Sequence, residues 1–201
     1  MINYFVEYWN CGNEQRNLEI INCINNNIHS KLFTNIFIFS SSKEDRIDHT
    51  IILNERITYQ FIFNNSLDGV NILANSDIQF DESILLSQNI KDGEFYALTR
   101  YEDDGFRHKH NDPYFGSDSQ DVWIWKNKCK ISDANFYLGL PGCDNKIAYH
   151  AFQHGYEVTN PSLTIKTYHK HSTELRTGTT SNIIHRIDPP YALVYPSELI
   201  L

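Results

Sequence analysis

Val70-Asn71-Ile72-Leu73-Ala74-Asn75-Ser76-Asp77-Ile78-Gln79-Phe80 decides how this chain reads. An apolar run ends in a short polar cluster, Asn75-Ser76-Asp77, and then returns to apolar residues. Physically, a buried strand surfaces and presents an amide and a carboxylate at its tip. In an open α/β sheet that tip is where ligands bind, just beyond the carboxyl ends of the strands. A carboxylate there, joined by a second ligand from elsewhere, could hold a divalent cation against a phosphate. Asn, Ser and Asp are also ordinary turn formers, so a plain tight turn is the competing reading.

Outward from this stretch, the first half of the chain alternates two patterns. Residues 4–9 read as a strand, and 13–28 place Leu18, Ile21, Cys23, Ile24 and Ile28 close to helical spacing. Residues 35–39 are a continuous apolar strand that stops in Ser40-Ser41-Ser42, and 49–53 and 59–63 look like two further short strands. Strands alternating with helices predict an α/β fold with a largely parallel, doubly wound sheet. Asn10, Ser40, Asn54 and Asp77 each follow a predicted strand, so the topology would bring them to one edge.

The second half is less regular. Residues 95–101 read as a strand ending near the cation Arg100; 102–120 form a polar segment of loop character, with His108 and His110 as solvated residues. A strand resumes over 121–126, Gly139-Leu140-Pro141-Gly142 is a turn, and 144–154 is predicted helical with Asp144 near its N-terminus. Residues 158–162 and 163–168 read as extended, Thr177-Gly178-Thr179-Thr180-Ser181 as a linker, and the rest as an apolar, Pro-containing tail.

At 201 residues the chain is most economically one domain with a sizeable core. A formal charge of -8 without a Lys/Arg-rich stripe argues against a nucleic-acid partner, and a phosphate-bearing ligand would need a metal or local donors to offset its charge. Cys11, Cys23, Cys129 and Cys143 form neither a CxxC pair nor a zinc spacing. No apolar segment is long enough to span a bilayer, and the opening residues go directly into a strand-like run rather than a signal peptide. The expectation is a cytosolic-type compartment with free thiols.

Four further elements carry a resemblance. They are Gly139 to Ala148 (Gly-Leu-Pro-Gly-Cys-Asp-Asn-Lys-Ile-Ala), Gly155-Tyr156-Glu157-Val158, Asn160-Pro161-Ser162 and Tyr168-His169. In that order they resemble the C-terminal half of the inverting GT-A glycosyltransferases, and Asn75-Ser76-Asp77 then looks like the family's DxD metal motif. Ser119-Gln120-Asp121-Val122-Trp123 adds a resemblance to small glycosyltransferases of large DNA viruses, including a rhamnosyltransferase domain. The resemblance covers most of residues 3–176, implying a catalytic domain over 1–176 and a linker and tail over 177–201 packing on it.

The resemblance implies a GT-A sheet, mixed and mostly parallel, and a nucleotide-sugar donor, usually a UDP-sugar, with Mn2+ or Mg2+. The acceptor would be a glycan or a small hydroxyl compound, and UDP-rhamnose is one possible donor. A divalent ion acts on such a donor as a Lewis acid, offsetting charge on the departing diphosphate. Asp77 would be the direct metal ligand and His169 the second, with Asn75 assisting where the motif often has an acid. Asp144 stands in the position of the general base, and Cys143 replaces the usual Glu beside it. On residue type alone Asp144 reads first as a helix N-cap. Asp121 is the alternative base or a sugar-hydroxyl acceptor, and Arg100 would neutralise the diphosphate or hold Asp77. Asn10, Ser40 and Asn54 would line the nucleotide pocket. His169 and His171 share a face of an extended run; His150 and His154 lack the intervening Glu of a zincin helix. A fold that binds nucleotide sugars or carbohydrates without turnover, or a nucleotidyltransferase, is the alternative function.

Overall fold

The computed structural model describes residues 1–48, 50–53, 55–102, 114, 116–170 and 186–200. Its centre is β1 (Ile2–Tyr8), whose residues are all buried. This strand alternates its side chains between two cores. Tyr4, Val6 and Tyr8 face one that includes Ile20, Ile21 and Ile24; Phe5 faces another that includes Trp123, Trp125 and Ile147. Being buried on both faces, it is mostly apolar, and its two polar residues, Asn3 and Glu7, are buried with partners.

α1 (Glu14–His29) follows directly. Asn13 caps it, its side chain accepting a hydrogen bond from the Arg16 backbone N–H at 3.0 Å. β2 (Asn35–Ser40) and β3 (Thr50–Ile52) then add in parallel on one side of β1, and β4 (Val70–Ala74) on the other. Register across three strands is marked by Asn35, Asn3 and Asn71, which lie opposite one another. Asn35 donates to Asn3 at 2.8 Å, and the Asn3 amide donates to the Asp68 carbonyl at 3.1 Å. A one-residue slip would strand the buried Asn3 and Asn71 amides, so they help specify the pairing.

Residues 59–63 are not a strand. They form α2 (Tyr59–Asn64), capped by Thr58, whose hydroxyl accepts from the Phe61 N–H at 3.2 Å. Tyr59, Ile62 and Phe63 are the residues it buries. Aromatic and β-branched composition predicts a strand here, but burial at positions i, i+3 and i+4 decides for a helix.

β5 (Ile78–Phe80) continues from the polar tip after β4, and a 3-10 segment (Glu82–Asn89) leads to β6 (Glu94–Leu98). β7 (Val122–Lys126) lies antiparallel between β4 and β6, α3 (Cys143–Gln153) follows, and β8 (Glu157–Thr159) pairs parallel to β6. The seven-stranded order is β3-β2-β1-β4-β7-β6-β8. The sheet is therefore mixed, mostly parallel, with β7 reversed rather than doubly wound throughout.

Of the run predicted as extended over 163–168, only its end is strand. β9 (Thr167–His169) pairs antiparallel with β5 in a separate two-stranded sheet. Asn27 of α1 braces this sheet: its amide donates to the Ile78 carbonyl at 2.7 Å and accepts from the Phe80 N–H at 3.2 Å. The described C-terminal segment, 186–200, lies along the domain. Ile187, Ala192, Val194 and Ser197 donate backbone hydrogen bonds to Pro141, Asn145, Ser117 and Asn160 respectively. The linker residues before it, with His49, Asn54, His108, His110 and His171, lie outside the described residues.

Candidate active site

Because β7 runs against its neighbours, its amino end meets the carboxyl ends of β1, β2, β4, β6 and β8 on one edge. Asn75 and Asp77 reach that edge after β4, Arg100 after β6, and Asp121 just before β7. Asp144, in the first turn of α3, joins them through the backbone N–H of Gln120, which donates to its Oδ2 at 3.2 Å.

A continuous chain of charged groups runs along this edge. Asp77 Oδ2 accepts from Arg16 Nη2 and lies 3.0 Å from His169 Nε2. His169 Nδ1 is 2.9 Å from Glu102 Oε2, and Glu102 Oε1 accepts from Arg100 Nε at 2.8 Å. Arg100 Nη1 then contacts both Asp121 oxygens, at 3.0 and 3.1 Å, and Asn75 Nδ2 donates to Asp121 Oδ1 at 2.8 Å. Arg16 is held from its other side by Glu19 at 3.3 Å.

Electrostatics divide the carboxylates of this edge. Burial pushes the Asp77 carboxyl up, but His169 and Arg16 outweigh it and hold the group well below the usual carboxylate range. Burial opposes the charge of His169 too, yet hydrogen bonds to Asp77 and Glu102 raise the imidazole to about 9. Glu102 is likewise drawn down to about 2, His169 and Arg100 overcoming its desolvation. Arg100 is raised, chiefly by the charge of Asp121. Asp144 goes the other way. Burial and then the neighbouring charge of Asp121 raise it to about 6, against the pull of the Asn145 and Gln120 N–H groups.

The sequence-predicted residues thus take the following places. Asp144 is not the helix cap: Gly142, with φ 85°, occupies that position without a side-chain cap bond. Only a residue tolerant of positive φ fits there, and a Cβ on it would meet Tyr191 Oη at 2.9 Å. Asp121 is a buried ion-pair member with a side chain 6% exposed, not a surface acid. Arg100 pairs with Asp121 and Glu102 rather than with Asp77. Asn75 contacts Asp121. Asn10 Oδ1 accepts from the Gly12 N–H at 2.9 Å and from Asn17 Nδ2 at 2.8 Å, which shapes the loop after β1. Ser40 donates to the Ser42 carbonyl at 2.7 Å and so turns into its own loop.

Sequence reasoning passed over Arg16 and Glu102. A cation in the first turn of a helix opposes the macrodipole, and that oddity at Arg16 was the available signal. Also unforeseen is Arg56, paired with buried Glu7 at 2.9 Å. Its guanidinium lies 5.0 Å from the Trp9 ring and 5.6 Å from that of Tyr137, adding flat aromatic surface where β1 ends.

The resemblance implies Mn2+ or Mg2+ at Asp77 and His169. Among the described residues no group of three or more His, Cys, Asp or Glu is placed to hold a metal ion. Asp77 Oδ2 is shared by Arg16 and His169, and each His169 ring nitrogen faces a carboxylate oxygen. In this arrangement the donor set does not fit a divalent ion. A separate cleft of about 420 Å³, lined by Asp68, Asp92, Lys126, Asn127, Lys128 and Lys130 among others, lies at the opposite edge of the sheet.

No protein-family model matches the chain, and no curated protein matches its sequence. Solved structures do. The S. aureus TarS structure (residues 1–349) in complex with UDP-GlcNAc superposes with a TM-score of 0.59 at 9% identity, covering 90% of this chain and 61% of that one. The mannosyltransferase PcManGT from Pyrobaculum calidifontis, in complex with GDP-Man and Mn2+, gives 0.58 at 10% identity, covering 87% of this chain and 58% of that one. The fold is the GT-A fold. This chain spans about three fifths of the length of those GT-A structures. Among its described residues, no helix is long and apolar enough to cross a membrane.

Proposed function

We propose that this chain is a glycosyltransferase that moves a sugar from a nucleotide-diphosphate donor, of UDP type, to a hydroxyl acceptor with inversion. One observation carries the reading: Asp144 stands at the ligand edge of a GT-A sheet with its carboxyl raised to about 6. A carboxylate of that basicity is largely ionised at neutral pH yet basic enough to take a proton as an alkoxide forms. The acceptor oxygen attacks the anomeric carbon from the face opposite the diphosphate. Its proton passes to Asp144, the sugar–phosphate C–O bond breaks, and the bonding electrons leave with UDP.

Asp121 has a supporting part. With Arg100 on both oxygens and Asn75 on one, it is poorly placed to receive a proton. It serves instead to fix Arg100 and to keep Asp144 basic. Trp9, beside the end of β1, offers a flat face for the nucleobase, and Asn10 and Ser40 shape the loops around it. The donor to try first is UDP-rhamnose, on the resemblance to viral transferases.

The test is release of UDP from a panel of UDP-sugars with simple hydroxyl acceptors. Transfer should fall about 10²–10⁴-fold in Asp144→Asn while UDP binding stays intact. Equal rates in the two proteins would remove Asp144 as base. UDP binding without turnover in any pairing would favour a binding module that kept the fold, the reading that Cys143 beside Asp144 also suits. Pyrophosphate release from a nucleoside triphosphate would instead mark a nucleotidyltransferase.

A further inference from the structure

The misfit between the Asp77 site and a divalent ion has a structural cause in Arg16. Its guanidinium reaches Asp77 from the first turn of α1, where its own backbone N–H is fixed by Asn13. Glu19 holds the same group from behind at 3.3 Å. The Arg16, Asp77 and His169 side chains are only 10%, 13% and 8% exposed, so this is a packed arrangement rather than a surface pair.

A hard divalent cation would need carboxylate oxygens in direct contact and several further oxygen ligands. At Asp77 that ground is taken. His169 stands between two carboxylates, Asp77 on Nε2 and Glu102 on Nδ1, so each of its ring nitrogens already faces a protein oxygen. Meanwhile a diphosphate arriving at an acidic protein still needs a cation. A guanidinium meets that need with a planar fork matched to phosphate oxygens. The described contacts of Arg16 engage one partner through each terminal nitrogen, leaving other N–H groups of the fork for a ligand.

We propose that Arg16 holds at Asp77 the place a divalent cation would take, so that this site binds a nucleoside diphosphate without any divalent ion. The donor half of this statement rests on the nucleotide-sugar reading above; the occupancy of Asp77 by Arg16 does not.

The experiment has two readouts on the full chain. Calorimetry follows UDP binding in EDTA and in Mn2+, and paramagnetic resonance follows Mn2+ binding with and without UDP. In the wild type, UDP affinity should change less than about threefold between EDTA and Mn2+, and the free Mn2+ signal should persist. Arg16→Met should lose at least about tenfold in UDP affinity in EDTA and gain Mn2+ binding, while Arg16→Lys should lose less.

UDP binding that strengthens tenfold or more with Mn2+ in the wild type, or Mn2+ binding lost in Asp77→Ala, would overturn the proposal. Should Arg16→Met not fold, the wild-type comparison decides by itself. Absence of UDP binding in either buffer would sink the nucleotide-sugar reading. Mn2+ titration of wild type against Arg16→Met would still decide whether Arg16 closes the site to metal.

Discussion

Asp77 and Asp144 share one edge of one sheet, both largely removed from water, and their acidities diverge. Asp77 faces a guanidinium and an imidazolium; its charge is matched, and the group stays ionised. Asp144 faces two backbone N–H groups and the negative field of Asp121; its charge is resisted, and it holds a proton up to about pH 6. Desolvation acts in the same direction on both. What differs is the partner, and the partner sets the chemistry: one carboxylate is suited to fixing cations and the other to exchanging a proton. Arg100 and Asp121 stand between them and keep the two environments apart.

The largest expected effect comes from removing the proton acceptor. Asp144→Asn should cost the roughly 10²–10⁴-fold in transfer given above, with calorimetry showing UDP affinity unchanged. Breaking the other side should instead appear in stability. Asp77→Ala leaves Arg16 and His169 buried without their shared anion, and urea unfolding should show a loss of about 3 kcal/mol, the lower end for breaking a buried pair. A loss as small as that of an exposed ion pair would mean that water reaches this cluster and the contrast is overstated.

The contrast also has a pH signature. A carboxyl raised from 3.8 to about 6 binds its proton more tightly in the folded state than in the unfolded one. Its contribution to stability is therefore fully present below the unfolded value and is lost as pH rises through about 6. Over the same window transfer activity should rise, reaching half its plateau near pH 6. Asp144→Asn should flatten the stability change across that window, and an unchanged melting profile in the variant would assign the titration elsewhere.

The smallest effects are a matched pair of helix starts. Gly142→Ala forces a positive φ on a residue with a Cβ and presses it against Tyr191, and Asn13→Ala removes the α1 cap. Each should cost about 1 kcal/mol in denaturant unfolding. Gly142→Ala should also lower transfer through Asp144, whereas Asn13→Ala should weaken UDP binding through Arg16. Exchange of those two signatures would argue against the division of labour along the edge.

Much of the frame was legible in the sequence because its signals are local. The apolar run before Asn75 is β4, the spacing after Asn13 is α1, and the turn before Asp144 opens α3. Residues 59–63 misled because Tyr, Phe and Ile suit a strand by composition, while the helical spacing of Tyr59, Ile62 and Phe63, opened by the capping hydroxyl of Thr58, decides for a helix. The electrostatic chain was legible only in part: the resemblance set His169 beside Asp77, but not Arg16 or Glu102. Arg16 and Asp77 are 61 positions apart, and Glu102 and His169 are 67. Nothing local in either residue announces the other; only the mixed topology, with β7 reversed and β9 folded back onto β5, brings them together.

The amide of Asn27 has a mechanical consequence. Through Ile78 and Phe80 it stands in for a neighbouring strand along β5, while Arg16, roughly 16 Å nearer the start of the same helix, grips Asp77. The short segment from Asp77 to Phe80 is thus riveted at two points to one rigid rod. Neither rivet can slip alone, so amide exchange should report α1 and β5 opening together as a single shutter.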